Sequence, residues 1–145
     1  MKLIRYILVL LSGFLFFVNS TSAQYMPKSG SAERKAIVGA FQATLERDFK
    51  ERYVEENFTL RVSVLRVKNG WAVISATPLK QDGTKFSGCD FFTTEGDDCY
   101  RMSTKVSALL EKRRETWRVV EFDVGSFKNM GKECRKRKCP VELRR

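Results

Sequence analysis

The side chains in this 145-residue chain that could do chemistry are four cysteines, a run of four cations and a scatter of carboxylates; histidine is absent. The cysteines are Cys89, Cys99, Cys134 and Cys139, and the cations lie between the last two, as Cys134-Arg135-Lys136-Arg137-Lys138-Cys139. Without histidine neither a Ser–His nor a Cys–His nucleophile pair can be built, and no imidazole is available to a metal. Neither cysteine pair has the two-residue knuckle spacing of a zinc site. Glu95, Asp97 and Asp98 could meet a calcium ion, but the stretch lacks the alternating oxygen ligands and terminal Glu of an EF-hand loop. It reads as a solvated acidic loop. Two carboxylates at a suitable separation can hydrolyse a glycoside, yet nothing singles out a pair among 17 acidic residues. The expectation is a protein that is not an enzyme, with no cofactor and no metal.

The first 23 residues set the redox state of those cysteines. Lys2 and Arg5 form a positive start, residues 7–18 an apolar core, and Ser20-Thr21-Ser22-Ala23 a small-residue cleavage site. This is the pattern of a secretory signal peptide cleaved after Ala23, and the apolar run is short for a membrane span. The expected location is periplasmic or secreted, with no transmembrane segment after cleavage. In that compartment an even number of cysteines favours two disulfides. Three connectivities are open. The local pairs Cys89–Cys99 and Cys134–Cys139 are preferred because each closes a short loop at low entropic cost.

Cleavage leaves 122 residues, enough for one core. The formal charge falls from +10 to +8, and residues 126–145 alone carry eight basic and two acidic side chains. The charge is therefore concentrated in the tail. Four consecutive cations repel one another, and an anion nearby relieves that repulsion. Arg135, Lys136, Arg137 and Lys138 are the candidate anion-binding residues. Anionic lipid, lipopolysaccharide or an acidic protein surface are the candidate partners, and nucleic acid is not expected after export. A solubilising basic tail is the competing reading.

These residues need elements to hold them. Residues 24–31, with Pro27, Ser29 and Gly30, read as a flexible lead-in. From Ala32 to about Val54, Val38, Phe41, Leu45, Phe49 and Tyr53 recur every three or four residues, widened by Ile37, as on one face of a helix. Ser31 suits its N-cap. Phe58, Leu60, Val62 and Val64 then alternate with polar residues as in a half-buried strand. The apolar phase shifts at Leu65 and Val67, which predicts a bulge or burial on both faces. Asn69-Gly70 is a strong hairpin signal leading into Trp71–Ile74. A second hairpin is expected from Thr104–Arg113 and Trp117–Val124, turning near Arg114-Glu115. The fold class is α+β: one N-terminal helix packed on a curved four-stranded antiparallel sheet, cystatin-like or small nuclear-transport-factor-like. The division is 1–23 signal peptide, 24–31 lead-in, 32–125 helix-plus-sheet domain and 126–145 basic C-terminal extension.

Two segments carry a resemblance. Leu65-Arg66-Val67-Lys68-Asn69-Gly70-Trp71-Ala72-Val73-Ile74-Ser75-Ala76-Thr77-Pro78, followed by Asp82-Gly83, is one; Trp117-Arg118-Val119-Val120-Glu121-Phe122-Asp123-Val124-Gly125 is the other. Together they resemble a group of small exported proteobacterial proteins of unknown function. The resemblance implies a shared fold and export, and transfers no catalytic residue. Ser126-Phe127-Lys128 replaces the polar Asp turn of that pattern, and the cysteine pairs and basic tail are additions.

Three functions follow as expectations. The first is an exported non-enzymatic protein that meets an anionic envelope component through its basic loop. The second is a cystatin-like inhibitor of a protease or cell-wall hydrolase, although Asn69-Gly70 makes too tight a turn for a cystatin wedge. The third is a small apolar-ligand-binding protein with a cone between helix and sheet. Trp71 and Trp117 could offer an aromatic platform for a sugar or peptide, but core packing is the default for both.

Overall fold

Apolar residues that alternate along a strand cover one face of a sheet, whereas consecutive apolar residues demand cover on both. In the computed structural model, which describes residues 23–52, 57–90, 103–125 and 128–144, both situations occur. Strands β1 (Thr59–Lys68), β2 (Trp71–Leu79), β3 (Val106–Arg113) and β4 (Thr116–Val124) form an antiparallel sheet in the order β1-β2-β3-β4. Helix α1 (Ala32–Arg52) lies on one face and helix α2 (Lys128–Lys136) on the other, followed by a 3-10 turn over Val141–Arg144. The expected signal peptide up to Ser22, Tyr53, the acidic residues 95–98, Cys99 and residues 126–127 lie outside the described residues.

Helix α1 forms where the periodicity places it. Ser31 caps it: the Arg34 amide donates to Ser31 Oγ at 3.2 Å and the Lys35 amide to the Ser31 carbonyl at 3.0 Å. Ile37, Phe41, Leu45 and Phe49 are buried against Leu65, Val67, Ala72, Ile74, Ala76, Val106, Ala108, Leu110 and Trp117. Side chains of both layers thus meet between helix and sheet. Phe49, Phe58 and Phe86 meet in sequence in this core, the first pair tilted with centroids 5.7 Å apart and the second edge-on at 6.4 Å.

Both hairpins turn where expected. Asn69 and Gly70 have φ of 49° and 73°, the two left-handed residues of a tight hairpin turn, and Arg114 has φ of 56°. The phase shift in β1 is a bulge. Register slips between Val62 and Val64, so Leu60 and Val62 before it and Leu65 and Val67 after it all face α1. The extra residue, Ser63, donates its hydroxyl to the Ser75 carbonyl at 3.1 Å. A second bulge in β4, at Val120, keeps Trp117 and Val119 on the α1 face together with Phe122 and Val124. Val120 itself packs on the opposite face.

Two regions differ from expectation, each for a physical reason. The lead-in is docked on the sheet. Tyr25 exchanges both backbone hydrogen bonds with Val67, at 3.0 and 2.8 Å, and its hydroxyl reaches Glu33. That bridge covers part of the open edge of β1, where unpaired backbone groups would otherwise face solvent. The C-terminal segment, expected as an extension, folds back as a second layer. Val73 and Leu109, in the middle of the sheet, point away from α1, and Met130, Cys134, Cys139 and Leu143 cover them. Of the large apolar residues described in this segment, Val141 alone stays exposed.

Two glycines test this packing. A Cβ at Gly131 would sit 2.8 Å from the Arg144 carbonyl oxygen, so α2 and the 3-10 turn meet there backbone to side chain position. Gly131→Ala should therefore destabilise by about 1–3 kcal/mol, as overpacking does. Exposed Gly39, in α1, has nothing within 4 Å of its Cβ position. Gly39→Ala should stabilise by about 0.5–1 kcal/mol. Urea unfolding of both variants reads the two opposite signs.

Candidate anion-binding site

The basic run is the C-terminus of a helix, and its local geometry follows from how helices end. The last carbonyls of a helix lack partners, and one common solution places a left-handed residue just past the end. Here that residue is Lys138, with φ of 57°. The Cys139 amide bonds the Cys134 carbonyl at 3.0 Å, and the Lys138 amide bonds the Arg135 carbonyl at 3.2 Å. These are the two bonds of a Schellman cap. Such a cap brings together the side chains five residues apart that flank it, usually in an apolar contact. In this chain those two side chains are Cys134 and Cys139, and they are joined as a disulfide with Cα atoms 5.1 Å apart. The five-residue spacing of the cysteines is the spacing of the cap.

Both sulfur-bearing residues are buried against the sheet, whereas Arg135, Lys136, Arg137 and Lys138 are all exposed. All four are therefore solvent-facing, but they diverge: Arg137 lies toward β4, whereas Lys138 lies beside Lys68 and Asn69 at the β1–β2 turn. They are not equivalent. Lys136 pairs with Glu133 one turn earlier, and its ammonium holds the Glu133 carboxyl below the ordinary range. Arg137 reaches across to the Val120 carbonyl at 3.2 Å, pinning the β4 bulge. Arg135 and Lys138 have no side-chain partner among the described residues. Part of the bunching has a structural cause, since cations at a helix C-terminus complement its dipole.

The rest of the surrounding surface is held by further polar contacts. Arg144 donates to the Cys139 carbonyl at 2.8 Å. Lys68 on β1 pairs with Glu142 at 2.6 Å, tying the 3-10 turn to the sheet edge. That contact draws the Glu142 carboxyl below its usual value, chiefly through the hydrogen bond from Lys68.

The other residues expected to matter divide clearly. Trp117 is buried in the α1 core. Trp71 is half-buried on the opposite face beside Val73 and Leu109. Cys89, in a 3-10 turn over Gly88–Asp90, carries no free thiol; the Cys99 end of its expected pair lies outside the described residues. Among the described residues no group of His, Cys, Asp and Glu is placed to hold a metal ion, and no helix is long and apolar enough to cross a membrane. Sequence reasoning missed Trp71, Pro140 and Glu142 as neighbours of the basic run. The signal was Val73 and Leu109, apolar residues out of phase with their strands' α1-facing positions. No protein-family model matches this chain, and neither curated proteins nor solved structures include a significant match.

Two outcomes follow from this geometry. Replacing both Cys134 and Cys139 by alanine should cost about 2 kcal/mol, the loop-closure contribution of so short a ring. Urea unfolding of the double variant against wild type, both without reductant, measures it. The Lys68–Glu142 pair should contribute stability above the ordinary carboxyl value of 4.5 and lose it as pH falls through the lowered folded value. The difference in melting temperature between wild type and Glu142→Gln should therefore be full at neutral pH and vanish in strong acid.

Proposed function

We propose that this is an exported, non-enzymatic protein that binds phosphate-bearing head-groups of an anionic envelope surface through Arg135 and Lys138. The observation that carries the reading is that these two exposed cations have no side-chain partner among the described residues and are mounted on a capped, disulfide-closed helix end. A rigid mount lowers the ordering cost when a charged partner arrives. Lys136 and Arg137 add to the local potential while remaining engaged with Glu133 and the Val120 carbonyl. Phosphate suits the pair, because Arg presents a planar fork and Lys a point charge. The signal-peptide pattern of residues 1–23 and the Cys134–Cys139 disulfide support a periplasmic or secreted location. We read the half formed by α1 and the antiparallel meander as cystatin-like, with α2 and its 3-10 turn as an added layer on the far side.

Binding to anionic and neutral liposomes across a salt series tests the proposal. Each cation near an anionic membrane surface contributes about 1 kcal/mol. Removing Arg135 and Lys138 together should then weaken binding to anionic vesicles by about thirtyfold and flatten its salt dependence. Lys136→Ala should do less, because its charge is already met by Glu133. Unchanged affinity and salt slope in the double variant would sink the reading. Salt-sensitive capture by an acidic protein with no vesicle binding would replace the lipid surface with a protein partner.

A further inference from the structure

Lys138 also faces a cleft that the anion-binding reading does not use. The cleft has a volume of about 390 Å³ and lies between the β1–β2 turn and the chain just past the disulfide. Its walls are Lys68, Asn69, Trp71, Lys138, Pro140 and Glu142. Such a volume lies at the small end of the range for ligand sites. Three features give it a chemical character. Trp71 packs on the Val73–Leu109 cluster while also lining the cleft, which puts an aromatic residue in its wall. Asn69 and Glu142 offer amide and carboxylate groups at the rim, where hydroxyls could be met. Lys138 supplies a cation with no partner among the described residues, while the Lys68 charge is balanced by Glu142. Lys138 occupies the left-handed position that glycine takes most readily. Keeping a lysine there carries a conformational cost, and it fixes where the side chain leaves the backbone.

An aromatic surface, amide and carboxylate groups, and one free cation match one class of ligand. A sugar ring is apolar on its C–H face and polar at its rim, and an acidic substituent adds one negative charge. We propose that this cleft binds a single sugar unit bearing a phosphate, with the ring against Trp71 and the phosphate on Lys138. The inference rests on the anion-binding reading for Lys138 alone; the Trp71 contact is independent of it. The same chemistry could come from a glycolipid head-group or from a free sugar phosphate.

Titration of the protein by NMR, following the indole N–H signals of Trp71 and Trp117 and the Lys138 amide, tests this. The probes are glucose 1-phosphate, glucose and inorganic phosphate. Glucose 1-phosphate should move the Trp71 and Lys138 signals together and leave buried Trp117 unmoved. Glucose should bind about tenfold more weakly, the factor expected for one lost charge-assisted contact. Inorganic phosphate should reach Lys138 without moving Trp71. Lys138→Ala should make glucose and glucose 1-phosphate equivalent at Trp71, and Trp71→Leu should leave the Lys138 amide responding to glucose 1-phosphate no more strongly than to inorganic phosphate. Should Trp71→Leu fail to fold, the wild-type and Lys138→Ala titrations still decide. The inference is overturned if Trp71 stays still with glucose 1-phosphate, or if inorganic phosphate moves it equally. Vesicle binding with a silent Trp71 defeats this inference alone. A responding Trp71 without vesicle binding defeats only the membrane-surface reading, and vesicles carrying a phosphorylated glycolipid separate the two ligand sources.

Discussion

The middle strands of the sheet are apolar on both faces, and that requirement shapes the whole molecule. Ala72, Ile74, Ala108 and Leu110 face α1, while Val73 and Leu109 between them face the other way. A sheet of this kind cannot be left half-covered, because the second apolar face would meet water. Two helices meet the need: α1 before the sheet and α2 after it. The second cover is short, nine residues and a turn, and few of its side chains are apolar. It is held by an unusual density of other constraints: a Schellman cap, a disulfide across that cap, a tight approach at Gly131 and an ion pair to β1.

The same economy explains why the basic run lies where it does. A helix whose underside is fully committed to the sheet can vary only on its top. Cations fit there without repulsion from the helix dipole, whose negative end they face. The cap then turns the chain back so that Cys139, Pro140 and Leu143 return to the sheet. The charged surface and the buried staple are two faces of one short segment, and neither could occupy its place without the other.

Much of the first layer was legible in the sequence because its signals are local. The three-to-four-residue recurrence of Phe41, Leu45 and Phe49 specifies α1, Asn69-Gly70 specifies a hairpin, and the shift from Val62 to Leu65 specifies a bulge. The second layer was not, because its signal is non-local. Val73 and Leu109 are ordinary apolar residues in strands, and only their being out of phase with their neighbours announces a second cover. Residues 128–144 offer Met130, Cys134, Cys139 and Leu143 among charges, a pattern that reads as a tail until a face is found for it. The basic run was legible as a surface feature. Its division into engaged and unengaged cations was not, since Glu133 and the Val120 carbonyl are partners only in three dimensions.

The bulge at Val120 has a consequence for how the two layers are coupled. One inserted residue in β4 lets the strand serve both layers: Trp117 and Val119 before it and Phe122 and Val124 after it belong to α1, while Val120 alone belongs to the far side. Its carbonyl accepts from Arg137 at 3.2 Å. Losing that single residue would return β4 to strict alternation and remove its contribution to the far-side cluster and the carbonyl that Arg137 takes, leaving Val73 and Leu109 to hold the C-terminal cover. The two layers are therefore coupled through one residue of β4.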